Sequence, residues 1–571
     1  MTNLTPGERL HLARLAMART RRRALSRAMR SRALRWLAGP ALADELLIVP
    51  QDLRTPDPSL FEELAAGQLG LGGAIVDLNG HSPFSLVPPS EGWARELNGF
   101  GWLRDLRAAN SDAAHTMARQ LVADWIARNA TIFPRTDPHA VIARRVISWI
   151  SHAALILEGT NPRAYEAATD SLGVQIQFLA TSWHDAPSGY DRLLCLTALV
   201  LADLCVAGHD RQLRRMQRIF GDELNRQILR DGGHVSRNPG VPVEILLDLM
   251  PLRQCYVARG RAPPRALANA ITRMITFLKS MRLGGGTIAR FNGMGRTEAA
   301  AIATVIAYDA TPDATLPPLT DSRYVRVDHG GSVLIMDVGA PPPLELAGQA
   351  HAGCLSFELS GRTNLLLVNC GAPGHAHETM RAASRATASH NTLCLADRSS
   401  ARLVRVRFLE RWAGSAPIRQ QGDVRYGISP TPTGTTIRAY HDGYVKAFGV
   451  RHTRLLHLAA DGATVEGEDR LGAPSGTLRL TRDLPFAIHF HVHPEAVCRR
   501  DTTPDAAIIE APDGDVWRFS VTGAALVLEQ SFYYAHYSGP RTSQQIVLRG
   551  ATSGEAAIAW RFERLDRAAS H

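Results

Sequence analysis

At 571 residues, 45% of them hydrophobic and 21% charged, the chain is too long for one ordinary core and too apolar to stay disordered, so two large folded parts are expected. The formal charge of +10 favours anionic partners, whether acidic polysaccharide, nucleic acid or a membrane surface, although an Arg-rich proteome gives the same balance. Seven scattered cysteines without a CxxC pair argue against a disulfide framework, and no run approaches the ~18 to 20 apolar residues of a transmembrane segment.

Residues 1–43 read as a basic helix or arm, with Leu10, Leu12, Leu15, Leu25, Met29, Leu34 and Leu37 among Arg21, Arg22, Arg23, Arg27, Arg30, Arg32 and Arg35. Such a helix suits anionic lipid or nucleic acid, while a solvated surface helix is the commoner outcome for a charge run. Residues 36–43 (WLAGPALA) imitate a signal core with a cleavage site. They are short, lie deep in the chain and run into Asp44 and Glu45, so the reading is no signal peptide and a cytoplasmic protein. Residues 44–92 are richer in Gly and Pro and read as an irregular lead-in, with apolar runs at 46–49 and 74–78.

From residue 93 to about 315 helix follows helix. Val141, Ile142, Val146, Trp149, Ile150 and Ala153 recur at steps of three and four and give an apolar stripe. Residues 193–206 are apolar almost all round, so that helix should be enclosed by others. Breaks are expected at Asn161 and Pro162, at 187–189, at Gly208, at Gly232 and Gly233, at Pro263 and Pro264, and at 284–286. Helices joined so closely fit stacked antiparallel hairpins. The Pro and Thr-rich run 311–320 marks a boundary, after which the period changes from 3.6 to 2. Strands are expected at 333–338, 477–480, 487–493, 516–521 and 556–562, and residues 316–571 read as a large antiparallel β-sandwich.

The stretch 349–393 carries the densest chemistry. Leu355, Phe357 and Leu359 alternate with Ser356, Glu358 and Ser360, the period of a half-buried strand. A Gly361 turn and a second strand at 365–368 follow, so a hairpin would bring His351 and Asn369 to the same end of the sheet, and His390 opens a third strand-like run. Imidazole and oxygen donors gathered in this way suit zinc as a structural ion; the alternative is that they only tie strand ends together by hydrogen bonds. His489, His491 and His493 alternate along another strand, where a polar outer face, or one His packing beside the central stretch, is the commoner outcome and a metal row the sharper one. The glycines of FNGMG, 291–295, belong to a turn, since no Walker Lys-Ser follows.

The pieces AHAGCLSFEL, LLLVNCGAPG and RATASHNTL resemble the signature of the heparinase II/III family of polysaccharide lyases, and QILRDGGHVSRNP resembles the signature of that family's helical domain. The resemblance implies an α+β multidomain protein, an incomplete α/α toroid over 93–315 followed by the β-sandwich. It implies β-elimination on a uronic-acid polysaccharide in a cleft, and periplasmic residence as an alternative to the cytoplasm. Such a reaction needs the uronate carboxylate neutralised, a base for the neighbouring proton and an acid for the departing oxygen. Against the family pattern, Asn238 to Pro242 replaces a Tyr-His pair, Tyr190 and Asp191 replace an Asn-His pair, Gln349 stands where a catalytic His is expected, and Asn369 replaces an Asp.

The candidates carried forward are Tyr190, Asp191, His234, Arg237 and Gln349 for catalysis, with Arg237 able to clamp a carboxylate. Asn238, Arg381 and Arg385 are candidates for substrate binding, and His351, Asn369 and His390 for the zinc. His375 and His377 read as loop residues. The expected partner is an anionic polysaccharide, with no specific nucleic acid and with a homodimer left open. The two rivals are a glycan-binding protein that kept the fold without the chemistry, and a nucleic-acid or membrane-surface binder using the Arg-rich N-terminus.

Overall fold

The computed structural model describes residues 45–129, 137–297, 299–308, 316–374, 378–405, 415–419, 422–478, 480, 482–536 and 539–565, with a few isolated positions besides. The basic N-terminal helix, His375 and His377 lie outside them. Contacts divide the chain into two compact units, one of residues 1–227 with 244–272, the other of residues 228–243 with 273–571. The change of period suggested a division between 315 and 316; compactness instead places 228–243 and 273–315 with the strands. Hydrogen bonds account for this: Asp231 Oδ2 accepts from the backbone N–H of Asp321 and Ser322, Gly284 N–H donates to Ser360, and Arg290 N–H donates to Glu358.

In the first unit the lead-in is less irregular than its composition suggests. It holds α1 (Ser59–Ala65) and a tight hairpin of β1 (Gln68–Leu71) and β2 (Ala74–Asp77). Helices α2 (Glu91–Gly99), α3 (Leu103–Ala108), α4 (Asp112–Asn129), α5 (His139–Ser151), α6 (Ala153–Leu157), α7 (Pro162–Ser182), α8 (Tyr190–Cys205) and α9 (Asp210–Gln227) follow, and α10 (Gly240–Ala258) and α11 (Arg265–Ser280) contribute residues to both units. The α5 stripe is buried as its spacing demands, and α8 is buried from Leu193 to Cys205 among α5, α7 and α9. Helix α7 starts where the sequence marks it: Asn161 accepts from Ala164 N–H as N-cap and Pro162 opens the first turn. Among the described residues no helix is long and apolar enough to cross a membrane.

In the second unit α12 (Ala299–Ala307) precedes antiparallel sheets. One has four strands in the order β3 (Tyr324–His329), β4 (Ser332–Asp337), β5 (Phe357–Ser360), β6 (Leu365–Leu367). Another has the order β18 (Ala525–Tyr533), β19 (Arg541–Thr552), β14 (Leu484–His491), β7 (Leu393–Leu395). An antiparallel bridge from Leu367 to Val492 links these two. An eight-stranded sheet runs β10 (Val424–Thr431), β11 (Gly434–His441), β12 (Arg451–Ala459), β13 (Thr464–Gly472), β20 (Ala556–Leu565), β17 (Val516–Thr522), β16 (Ala506–Glu510), β15 (Val497–Arg500). Burial alternates along β12 and β13, the pattern of sheets with one face packed. Phe357, Phe490, Phe519, Trp560 and Phe562 from these three sheets meet in one core. A short pair, β8 (Arg402–Leu403) with β9 (Ile418–Arg419), stands apart, and α13 (Glu378–Ser384) and α14 (Val445–Phe448) fill connections.

Three strand expectations are corrected. Strand β5 is buried on both faces, so Ser356, Glu358 and Ser360 are as enclosed as their apolar neighbours, and Leu355 sits before the strand at φ +64. The described residues of 477–480 are not in a strand. His489, His491 and His493 are buried and form no polar outer face; His491 packs beside the central stretch, with Nε2 3.0 Å from Ala388 O and its N–H donating to Asn391.

Candidate functional site

Two of the three signature segments of the strand-rich unit are tied to each other. Arg385 Nε donates to Ala350 O at 2.9 Å and its Nη2 to Ala347 O at 3.2 Å, while Thr387 Oγ1 donates to Ala352 O at 2.7 Å. Arg385 therefore holds the loop carrying Gln349 and His351 rather than a substrate, and burial, with Arg381 adding to it, pulls its pKa down to about 10. Gln349 is exposed, and its carbonyl lies against Gly293 of FNGMG, where a Cβ would come within 2.4 Å of that oxygen. Arg381 is half-buried on α13.

His351 Nδ1 and His390 Nε2 lie 3.0 Å apart, and His390 Nδ1 is 2.8 Å from Ala386 O. The carbonyl fixes the proton on His390 Nδ1, so His390 Nε2 accepts and His351 Nδ1 donates. Burial first, then His390 and Arg385, push His351 well below the ordinary histidine range; burial brings His390 down to about 4. Both rings are neutral at physiological pH. Gly353 is required here, since a Cβ would come 2.7 Å from His390 Cδ2. Asn369, the third expected ligand, is already engaged: Oδ1 accepts from Asn391 N–H at 3.1 Å and Nδ2 donates to Arg290 O at 3.1 Å. Two imidazoles and an occupied amide do not make the closed three- or four-ligand set of a structural zinc. Among the described residues no group of three His, Cys, Asp or Glu side chains is placed to hold a metal.

The helical-signature residues also have partners of their own. Arg237, 7% exposed, donates through Nε to Ser322 O at 2.9 Å, through Nη1 to Ala340 O at 2.9 Å, and through Nη2 to Arg323 O and the Asp337 carboxylate. Tyr324 donates to Arg237 O, and Asn292 of FNGMG joins Tyr324 to Asp337. The guanidinium expected as a carboxylate clamp is thus engaged inside the unit, by one carboxylate and three backbone carbonyls. His234 is buried, with Nδ1 accepting from Ser236, and burial lowers it to about 3. Asn238 caps its own turn by accepting from Gly240 N–H at 2.9 Å.

In the helical unit Tyr190 opens α8. Its hydroxyl accepts from Arg144 at 3.0 Å, and Arg144 makes a two-pronged pair with Asp248, which also takes Arg54. Burial raises the phenol well above its usual range despite Arg144. Asp191, beside it, is raised by burial, with Arg95 opposing.

Two residues that sequence reading passed over are central. Glu358 is fully buried, accepting from Asn369 N–H at 2.8 Å and Arg290 N–H at 3.0 Å, and burial pushes it up to about 7. Asn391 donates to Phe357 O and accepts from His491 N–H, knitting β5, β7 and β14 together. An acidic residue inside the apolar run LSFELS was the signal for the first; Asn391 left no signal beyond its place beside His390.

Comparison with known proteins agrees with this architecture. Residues 311–561 match the family Heparinase II/III-like, C-terminal. Over 537 residues, 90% of this chain and 90% of the relative, the sequence is 28% identical to FtsZ-localized protein C of Caulobacter vibrioides (strain NA1000 / CB15N). Among solved structures, heparinase III aligns with a TM-score of 0.67 over 97% of this chain and 91% of that one, at 12% identity. A heparan sulfate lyase HepC mutant from Pedobacter heparinus aligns at 0.61 over 99% and 92%, at 14% identity. Identities this low establish a shared fold.

Proposed function

We propose, for a chain whose residues 311–561 form a heparinase II/III-like C-terminal domain and whose whole length takes the heparinase III fold, that it binds an anionic glycan without cleaving it by conventional elimination. The observation that carries this reading is Arg237. The guanidinium that the sequence offered for a uronate carboxylate is occupied by Asp337 and three backbone carbonyls. Detaching it would leave both charges of a buried pair unpaired. The proton-transfer groups are equally unsuited: Tyr190 is raised, and His234 is neutral and held by Ser236, whereas a general base works best near the operating pH. The net charge of +10 supports a polyanionic ligand.

The test incubates the full chain with heparan sulfate, alginate and polygalacturonate. Absorbance of the unsaturated uronate is expected to stay flat, while binding to the immobilised glycans weakens as salt rises. The lyase reading, with Tyr190, Asp191, His234, Arg237 and Gln349 as its set, wins if absorbance climbs over many turnovers and Tyr190→Phe abolishes the climb.

A second reading rests on the relative named for its place with FtsZ, matched along 90% of both chains. In it, this protein also localises with FtsZ. A fluorescent fusion that fails to coincide with labelled FtsZ removes that reading and leaves the glycan assay untouched.

A further inference from the structure

We propose that Arg290, His493 and Tyr533 form a pocket for a small carboxylate, distinct from the residues the sequence offered for catalysis, substrate binding and zinc. The starting observation is a guanidinium without an acceptor. Arg290 is 7% exposed, yet its Nε and Nη1 are buried with no hydrogen-bond partner. A buried charge is ordinarily met by a counter-charge or by a full set of acceptors. Glu358 does not supply them: one of its oxygens accepts from Asn369 N–H and the other from the backbone N–H of Arg290 itself.

The surroundings read as a built site. The backbone of Arg290 is fixed on both sides, through N–H to Glu358 and through O to the Asn369 amide, so only the head group is unassigned. Its Cζ lies 5.3 Å from the Tyr533 ring centroid, and His493 meets that ring edge to face at 5.3 Å. Tyr533 is 3% exposed and His493 9%. Gly371, at φ +70, lets the neighbouring loop pass, since a Cβ there would stand 2.7 Å from Ala535 Cβ and 3.5 Å from Arg290 Cδ. His493 lies within the fields of Arg290 and His536, and His536 within those of Arg541, Arg290 and Arg296, with Glu495 the one acid acting on it. Two acids act nearby, Glu358, whose oxygens accept from backbone N–H groups, and the largely exposed Glu495, 3.9 Å from His493 Nδ1, and neither accepts a hydrogen bond from the Arg290 head group.

That balance selects the ligand. The two unused donors of one buried guanidinium suit the two oxygens of one carboxylate; a doubly charged phosphate would be left half compensated in a low-dielectric site. A carboxylate flanked by an aromatic ring and an imidazole fits, whether it comes from a sugar acid within a glycan or from a free organic acid. The pocket does not depend on the glycan reading.

Calorimetric titration of the full chain tests it, using free glucuronate, glucose, inorganic phosphate and an oligogalacturonate. Glucuronate is expected to bind, glucose not to, and phosphate more weakly than glucuronate. Arg290→Gln is expected to lower glucuronate affinity at least tenfold, and His493→Gln to lower it by a smaller factor, while Arg561→Ala at an exposed site changes nothing. Glucuronate should raise the melting temperature of the wild type and no longer raise that of Arg290→Gln. Equal binding of glucuronate and glucose, tighter binding of phosphate, or unchanged affinity in Arg290→Gln would overturn the pocket. If glucuronate binds through Arg290 and the oligomer does not, the pocket stands and the glycan reading falls.

Discussion

Two imidazole pairs in the strand-rich unit share a geometry and differ in what stands behind them. His351 with His390 and His441 with His452 both have ring centroids 5.1 Å apart, crossed at 81° and 82°, with nitrogens 3.0 and 3.2 Å apart. Behind His452 stands Asp469 at 2.6 Å, itself held by Arg454 and by the Trp560 indole. Behind His390 stands only the Ala386 carbonyl. Burial alone would raise the Asp469 carboxyl, but Arg454 and His452 hold it below the usual carboxylate range. Adjacent histidines therefore do not define a site; the charge behind them decides whether the pair is a neutral strap or part of a charge network.

The comparison breaks most sharply at Asp469. Asp469→Asn leaves Arg454 buried and unpaired and is expected to cost about 3 to 5 kcal/mol in urea unfolding, whereas His351→Gln, which loses one neutral hydrogen bond, should cost about 1 kcal/mol. Equal losses would mean that the carboxylate adds nothing.

Next in size is the pH dependence of Glu358, raised from 4.5 to about 7 by burial. A carboxyl whose folded pKa is raised favours the fold fully below its unfolded pKa, and that contribution is lost as pH climbs from about 4.5 through about 7. The loss is about 3 kcal/mol at most. The difference in stability between wild type and Glu358→Gln, measured from pH 4 to 8, should therefore shift in favour of the variant as pH rises; a constant difference would place Glu358 as an ordinary carboxylate.

A smaller effect is expected at Gly353, where Ala would press on His390. About 1 to 3 kcal/mol should be lost, and the His390 resonances should move while those of His441 stay. The smallest expected effect is that of zinc. The melting temperature should stay within about a degree on chelation or on adding zinc to chelated protein, because ligand binding stabilises only by its own occupancy; a rise of several degrees would show that His351 and His390 close on a cation after all.

The helix breaks at Asn161, Pro162 and Gly208 were legible because capping and proline geometry act within a few residues. The strand-rich unit was legible as a class but not in detail. Residues 424–472 form four of the eight strands of the large sheet, yet half-exposed strands rich in Arg, Thr and Gly carry a weak alternation. The candidate residues were located by resemblance, and their partners were not legible: Arg237 and Arg385 turn inward to carbonyls 85 to 103 and 35 to 38 positions away in sequence.

The chain's order of elements, its two-part composition and the glycines that loops require follow from the sequence alone, since each depends on residues within one or two turns. Which arginine has a counter-charge, which imidazole stands before a carboxylate and which acid is dry depend on neighbours brought from distant strands. Those neighbours exist only once the sheets have packed, and they separate Arg237, closed on Asp337, from Arg290, left open.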